Sequence, residues 1–108
     1  MTRTALITGA SAGLGFEFAR QLAAQGYDLV LVARREHKLE EVAQGLRTAF
    51  PSATIRTLAA DLSEPEAPAN IQQRCQDLAI EVDYLVNNAG AAGPGLLSDV
   101  PWPEQQRY

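Results

Sequence analysis

Short apolar runs alternate along this chain with longer stretches in which apolar residues recur every three or four positions. Four runs rich in β-forming residues, at about 4–8, 28–33, 54–59 and 83–87, predict strands. Between the first two, Leu14, Phe18, Ala19, Leu22 and Ala23 fall on one face of a helix expected over 13–25, with Gly26 at its C-terminal cap. A second stripe, Leu39, Val42, Ala43, Leu46 and Phe50, is interrupted by Gly45 and stopped by Pro51, with Glu36, Glu40 and Glu41 turned to water. A third helix begins near Ser63, whose S-x-x-E spacing to Glu66 reads as a capping box, although Pro65 and Pro68 move its regular start to about 66. Its inner face carries Ala67, Ile71, Cys75 and Leu78. Strand and helix alternating in this way predict an α/β chain built on a parallel sheet, with helices on both faces.

Downstream of the fourth strand, the glycines and proline of Asn88 to Gly95 make a loop, and Pro101 to Tyr108 reads as the opening of a further helix with Pro103 in its first turn. The 108 residues have room for one domain at most, and 46% hydrophobic residues supply its core. Strand four is apolar enough to lie inside the sheet, yet nothing after it pairs with its far edge. Such an edge predicts self-association into a homo-oligomer.

Charge and composition narrow the partners. A net charge of −4 and a pI near 4.8 argue against nucleic acid, whose phosphates demand clustered Lys and Arg. One cysteine, Cys75, and one histidine, His37, leave no internal disulfide and no Cys/His metal cluster, as expected of a cytoplasmic protein. The opening run Ala5-Leu6-Ile7 is too short for a signal-peptide core or a membrane span. An anionic ligand must therefore be held locally.

The place for it is the turn from strand one to helix one. Gly9 lets the chain reverse, Gly13 lets phosphates approach bare backbone, and Gly15 lets the helix pack closely on the sheet. Ser11, Ala12, Gly13 and Leu14 bring free N–H groups and the positive end of the helix dipole to the same point. The spacing, G-x-x-x-G-x-G, is not the G-x-G-x-x-G of longer-chain dehydrogenases. Thr8-Gly9-Ala10-Ser11-Ala12-Gly13-Leu14-Gly15 resembles instead the T-G-x-x-x-G-x-G fingerprint of short-chain dehydrogenases and reductases. Asp61-Leu62 after strand three and Asn87-Asn88-Ala89-Gly90 after strand four resemble two further landmarks of that family, in order and at the expected distances.

The resemblance covers the chain from strand one onward and implies a Rossmann-type sheet of about four strands, order 3-2-1-4. It also implies a nicotinamide dinucleotide, with Asp61 and Leu62 at the adenine and Asn88, Ala89 and Gly90 beside the nicotinamide ribose. Asn87 reads as tying strand four to its neighbours.

At the end of strand two, dinucleotide folds that take NAD place a carboxylate for the adenine ribose, and an Arg nearby accommodates a 2′-phosphate. Here Val32-Ala33 is followed by Arg34 and Arg35, permanently charged planar forks without a carboxylate beside them. Arg35 and Lys38 fall in the first turn of helix two, with Lys38 one turn from Glu41. The expected cofactor is NADP(H).

The resemblance also implies a Tyr-x-x-x-Lys pair acting on a small carbonyl or alcohol substrate. The single lysine is Lys38, and Arg34 stands four residues before it, so the 108 residues contain no such pair and are assigned no catalytic residue. They read as the front, cofactor-binding part of an NADP-dependent oxidoreductase, inactive alone. The alternative is a non-catalytic module that binds NADP or a protein. A Ser-His-Asp hydrolase would depend on His37, which has no nucleophile elbow near it, and a methyltransferase would want a carboxylate where Ala33 and Arg34 stand.

Overall fold

The computed structural model describes residues 3–10 and 13–86, together with the backbone of 106–107. Strands β1 (Thr4–Thr8), β2 (Asp28–Ala33), β3 (Ile55–Ala59) and β4 (Tyr84–Val86) fall within one residue of the expected runs wherever these are described. They are joined by helices α1 (Gly13–Ala24), α2 (Glu36–Ala49) and α3 (Ala67–Asp77). All strands pair in parallel in the order β3-β2-β1-β4-β5, where β5 is the short strand Gln106–Arg107.

That last strand corrects two expectations. Residues 106–107 are extended and pair with β4, Tyr84 opposite Gln106 and Leu85 opposite Arg107, where a helix had been read. An interior strand presents unpaired N–H and C=O groups along any open side. Satisfying them outweighs the weak helical signal of a short polar run, and the open edge of β4 is no longer a ground for self-association.

Period-two alternation sorts the strand residues onto two cores. Ala5, Ile7, Leu29, Leu31, Ala33, Ile55 and Val86 face α1 and α2, where Ala19, Leu22, Leu39, Ala43 and Leu46 meet them. Leu6, Val30, Val32, Leu58 and Leu85 point the other way, toward Ile71 and Cys75 of α3. With both faces covered, β1 and β2 need apolar residues at nearly every position. The buried Cys75 thiol is pushed up by burial, as befits a small core residue without a nucleophilic role.

Several local expectations are corrected by the packing. On α1 the buried residues are Gly15, Ala19, Leu22 and Ala23, while Leu14 is 69% and Phe18 37% exposed. The spacing i, i+4, i+7, i+8 aims one face at the sheet and leaves Leu14 and Phe18 on its flank. On α3, Leu78 is the C-cap and is exposed, because Ala79 then turns left-handed with φ 57°. The Ile80 N–H reaches back to the Cys75 carbonyl at 2.8 Å, closing the helix. No capping box forms: Glu66 is the N-cap without a side-chain bond, and Ser63 is committed elsewhere.

Glu40 was expected in water and is instead half-buried. Its carboxylate accepts from Arg47 Nη1 at 2.7 Å and from Thr57 Oγ1 at 3.2 Å, and Arg47 also donates to the Ile55 carbonyl from Nε (3.2 Å) and Nη2 (2.6 Å). The Arg47 guanidinium, before the other contacts, holds that carboxyl below its usual range. This brace fixes α2 over the outer strand β3. Glu41 pairs with His37 Nε2 at 3.3 Å, the partner Lys38 had been expected to take.

Gly45 lies exposed within α2, and a Cβ built on it meets nothing within 4 Å. Gly45→Ala therefore carries only the backbone-entropy gain of an exposed helix position, about 0.8–1 kcal/mol. Thermal unfolding should show a melting temperature raised by roughly 4–8 °C; an unchanged or lower value would contradict this reading of α2.

Candidate functional site

Parallel pairing sends the C-terminal ends of β1, β2 and β3 to one edge of the sheet. Thr8 stands opposite Val32 and Ala33 opposite Ala59, so the segments leaving these strands start side by side. Gly9 and Ala10 follow β1, Arg34 and Arg35 follow β2, and Asp61 and Leu62 follow β3. Two backbone bonds stitch the exits together: Ala10 N–H to the Val32 carbonyl at 3.3 Å, and Ala60 N–H to the Ala33 carbonyl at 3.0 Å. Buried Thr8 donates to the Val86 carbonyl at 3.4 Å, joining β4 to the same edge.

The glycine turn shows why its residue types are needed. Gly9 and Gly13 sit at φ 65° and 61°, in the left-handed region where a Cβ is strained. A Cβ at Gly13 would meet nothing within 4 Å, so the backbone at the start of α1 fronts open space. Gly15 is buried on the sheet side of the helix, and Leu14 is exposed beside the turn. Ser11 and Ala12, expected in the turn, lie outside the described residues, as do Asn87, Asn88, Ala89 and Gly90. The open left-handed backbone, and the helix start behind it, fit a pyrophosphate.

At the end of β2, Arg34 and Arg35 are both exposed. Arg35 is the N-cap of α2 rather than a first-turn residue, with no side-chain cap bond, while its carbonyl accepts the Leu39 N–H at 3.0 Å. The first turn of α2 thus starts beside two exposed arginines without a side-chain cap. Cations oppose the positive end of a helix dipole unless an anion lies between them.

Asp61 is held more firmly than its place in a loop suggests. Its Oδ1 accepts from the Ser63 hydroxyl at 2.6 Å and from the Ser63 N–H at 3.0 Å. The hydroxyl, then the backbone N–H, then the charge of Arg34 across the strand ends hold its carboxyl below the ordinary aspartate value. A concavity of about 500 Å³ opens beside it, between the end of β3 and α3, lined by Leu58, Ala60, Asp61, Ile71 and Arg74. Sequence reasoning missed Ser63 as part of this site because its spacing to Glu66 suggested a helix cap. The Asp-x-Ser spacing of Asp61 and Ser63 was the available signal.

A larger hollow of about 670 Å³ lies at the opposite edge, among Arg3, Asp28, Thr54, Arg56, Glu81 and Asp83. Asp28 accepts from the Thr54 N–H at 2.8 Å and Asp83 from the Thr4 N–H at 2.9 Å. Those carboxylates close strand entries, so the hollow is read as a seam of the fold. None of the helices among the described residues is long and apolar enough to cross a membrane.

Comparison with known proteins places this geometry. The family model described as short chain dehydrogenase matches residues 3–107. A very-long-chain 3-oxoacyl-CoA reductase of Phaeosphaeria nodorum is 41% identical over 88 residues, 80% of this chain. This chain spans only 26% of that relative's length. Among solved structures, an L-sorbose reductase from Gluconobacter frateurii complexed with NADPH and L-sorbose superposes with TM-score 0.77 at 34% identity, covering 83% of this chain and 34% of that one. A short-chain dehydrogenase from Sphingobium yanoikuyae in complex with NADPH gives TM-score 0.72 at 41% identity, covering 82% and 34% respectively.

The geometry at Gly13 separates backbone strain from crowding. With free space around the added methyl, Gly13→Ala should cost only the left-handed penalty, about 1–2 kcal/mol in urea unfolding. A loss near zero would mean that the turn is not left-handed at this residue.

Proposed function

Because this chain belongs to the short chain dehydrogenase family, an oxidoreductase family, we propose that it binds NADP(H) along the edge formed by β1, β2 and β3. The observation that carries the reading is the convergence of the left-handed Gly9 and Gly13 turn, the Arg34-Arg35 pair and Asp61 on three adjacent strand ends. In this reading the α1 turn holds the pyrophosphate, with Ser11, Ala12, Leu14 and Gly15 in or beside it. Arg34, with Arg35 next to it, takes the 2′-phosphate. Asp61 accepts from the adenine amine, Leu62 borders the ring, and Asn88, Ala89 and Gly90 border the nicotinamide ribose. The NADPH named with the Gluconobacter and Sphingobium proteins supports the phosphorylated cofactor.

When bound, the nicotinamide supplies or takes up a hydride at a carbonyl or alcohol carbon. The residues of this chain bind and orient the cofactor for that step. Arg34 discriminates by charge, Asp61 fixes the base, and the glycine turn brings backbone N–H groups to the phosphates without intervening side chains. The 108 residues hold no Tyr-x-x-x-Lys pair, the pair that completes the chemistry in the family, and the role assigned to them in this reading is cofactor binding.

Calorimetry with NADPH and NADH on wild type and Arg34→Ala tests the assignment. A hydrogen bond from a charged donor contributes about 1.5–3 kcal/mol, and an exposed Arg34 belongs at the lower end. The variant should bind NADPH about tenfold more weakly and NADH almost unchanged. Equal losses for both cofactors would refute the 2′-phosphate role.

A further inference from the structure

Asp61 has two carboxylate oxygens, and the fold treats them differently. Oδ1 receives both donors of Ser63, hydroxyl and N–H, whereas Oδ2 takes no hydrogen bond from any described residue. Asp61 is half-buried at the mouth of the concavity beside α3, while Ser63 is exposed. Among the described residues, the carboxyl is therefore clamped at one oxygen and without a hydrogen-bond partner at the other. Rotation about its Cβ–Cγ bond, broad in a free aspartate, would break two bonds at once.

We propose that Ser63 is the positioning residue that gives this site its base selectivity. By occupying Oδ1 it presents Oδ2 as a fixed, anionic, acceptor-only atom, which selects a purine bearing an exocyclic amine and rejects one bearing an exocyclic carbonyl at the same position. The inference rests on the proposed reading that Asp61 meets the base of a bound dinucleotide. An ionised carboxylate has no proton to donate. A 6-amino group offers Oδ2 a donor, while a 6-oxo group sets two acceptors face to face, a repulsive element as well as a lost bond. Without the Ser63 clamp the carboxylate is free to swing away from the oxo group, which relaxes the discrimination. Arg34, whose charge also favours the ionised carboxylate, cannot replace the clamp because it sets no angle.

Titration of the full chain with NADPH and with its hypoxanthine analogue, for wild type, Ser63→Ala and Ser63→Thr, tests the proposal. Loss of one net hydrogen bond of ordinary strength corresponds to about a three- to tenfold change in affinity. Wild type should prefer the adenine form by at least that factor. Ser63→Ala, which removes the hydroxyl and leaves the backbone N–H on Oδ1, should lose part of the preference, chiefly by binding the hypoxanthine form relatively better, and Ser63→Thr, which keeps the hydroxyl, should retain it. A preference unchanged in Ser63→Ala, both affinities falling by one common factor, or loss of preference in Ser63→Thr would overturn the role of the Ser63 hydroxyl while leaving cofactor binding intact. Equal binding of the two nucleotides by wild type would overturn selectivity at Asp61 altogether. Binding of neither would instead refute the proposed function and this inference with it.

Discussion

Parallel pairing of β1 with both β2 and β4, buried on two faces, is the constraint from which the rest of the molecule follows. A parallel strand cannot be reached by a tight turn, so the connections from β1 to β4 must cross the sheet, and α1, α2 and α3 are those crossings. All strand exits then lie on one edge. The register that sets Thr8 beside Val32 and Ala33 beside Ala59 brings the glycine turn, Arg34 and Asp61 together, although up to 52 residues separate them in sequence.

The same constraint divides labour between the edges. At the strand entries, Asp28 and Asp83 turn their carboxylates onto backbone N–H groups and consume their own charge in holding the fold. At the exits, Arg34 and Arg35 remain exposed and α2 begins without a side-chain cap. Folding is consolidated at the entry edge, and the exit edge is the one to which the proposed function assigns binding. The Arg47 brace to Glu40 and the Ile55 carbonyl supports this division by fixing α2, and with it the segment carrying Arg34, against β3.

Much of this was legible in the sequence because both periodicities are strong here. β1 and β2 are nearly uninterrupted apolar runs, and the inner faces of α2 and α3 repeat at helical spacing, so element type and order follow from residues alone. The left-handed positions in the first turn were marked by Gly9 and Gly13. What failed to show was decided by tertiary partners. Glu40 looked like a solvent residue until β3 brought Thr57, and α2 itself brought Arg47, to its carboxylate. Leu14 and Phe18 fit a helical stripe but lie on the flank of the face that meets the sheet. Ser63 satisfied one local motif by spacing and another by geometry, and the nearer acceptor, Asp61, won. Residues 106–107 carry little local preference and take the structure that the edge of β4 imposes.

The central claim is that the exit edge of the sheet, not the larger hollow at its entry edge, receives the cofactor. Amide chemical-shift mapping of the labelled chain with NADPH tests it residue by residue. The account predicts shifts concentrated at Gly9, Gly13, Arg34, Arg35 and Asp61, with Arg3, Asp28, Glu81 and Asp83 silent. Shifts centred on those four entry-edge residues, or none at the glycine turn at saturating NADPH, would contradict it.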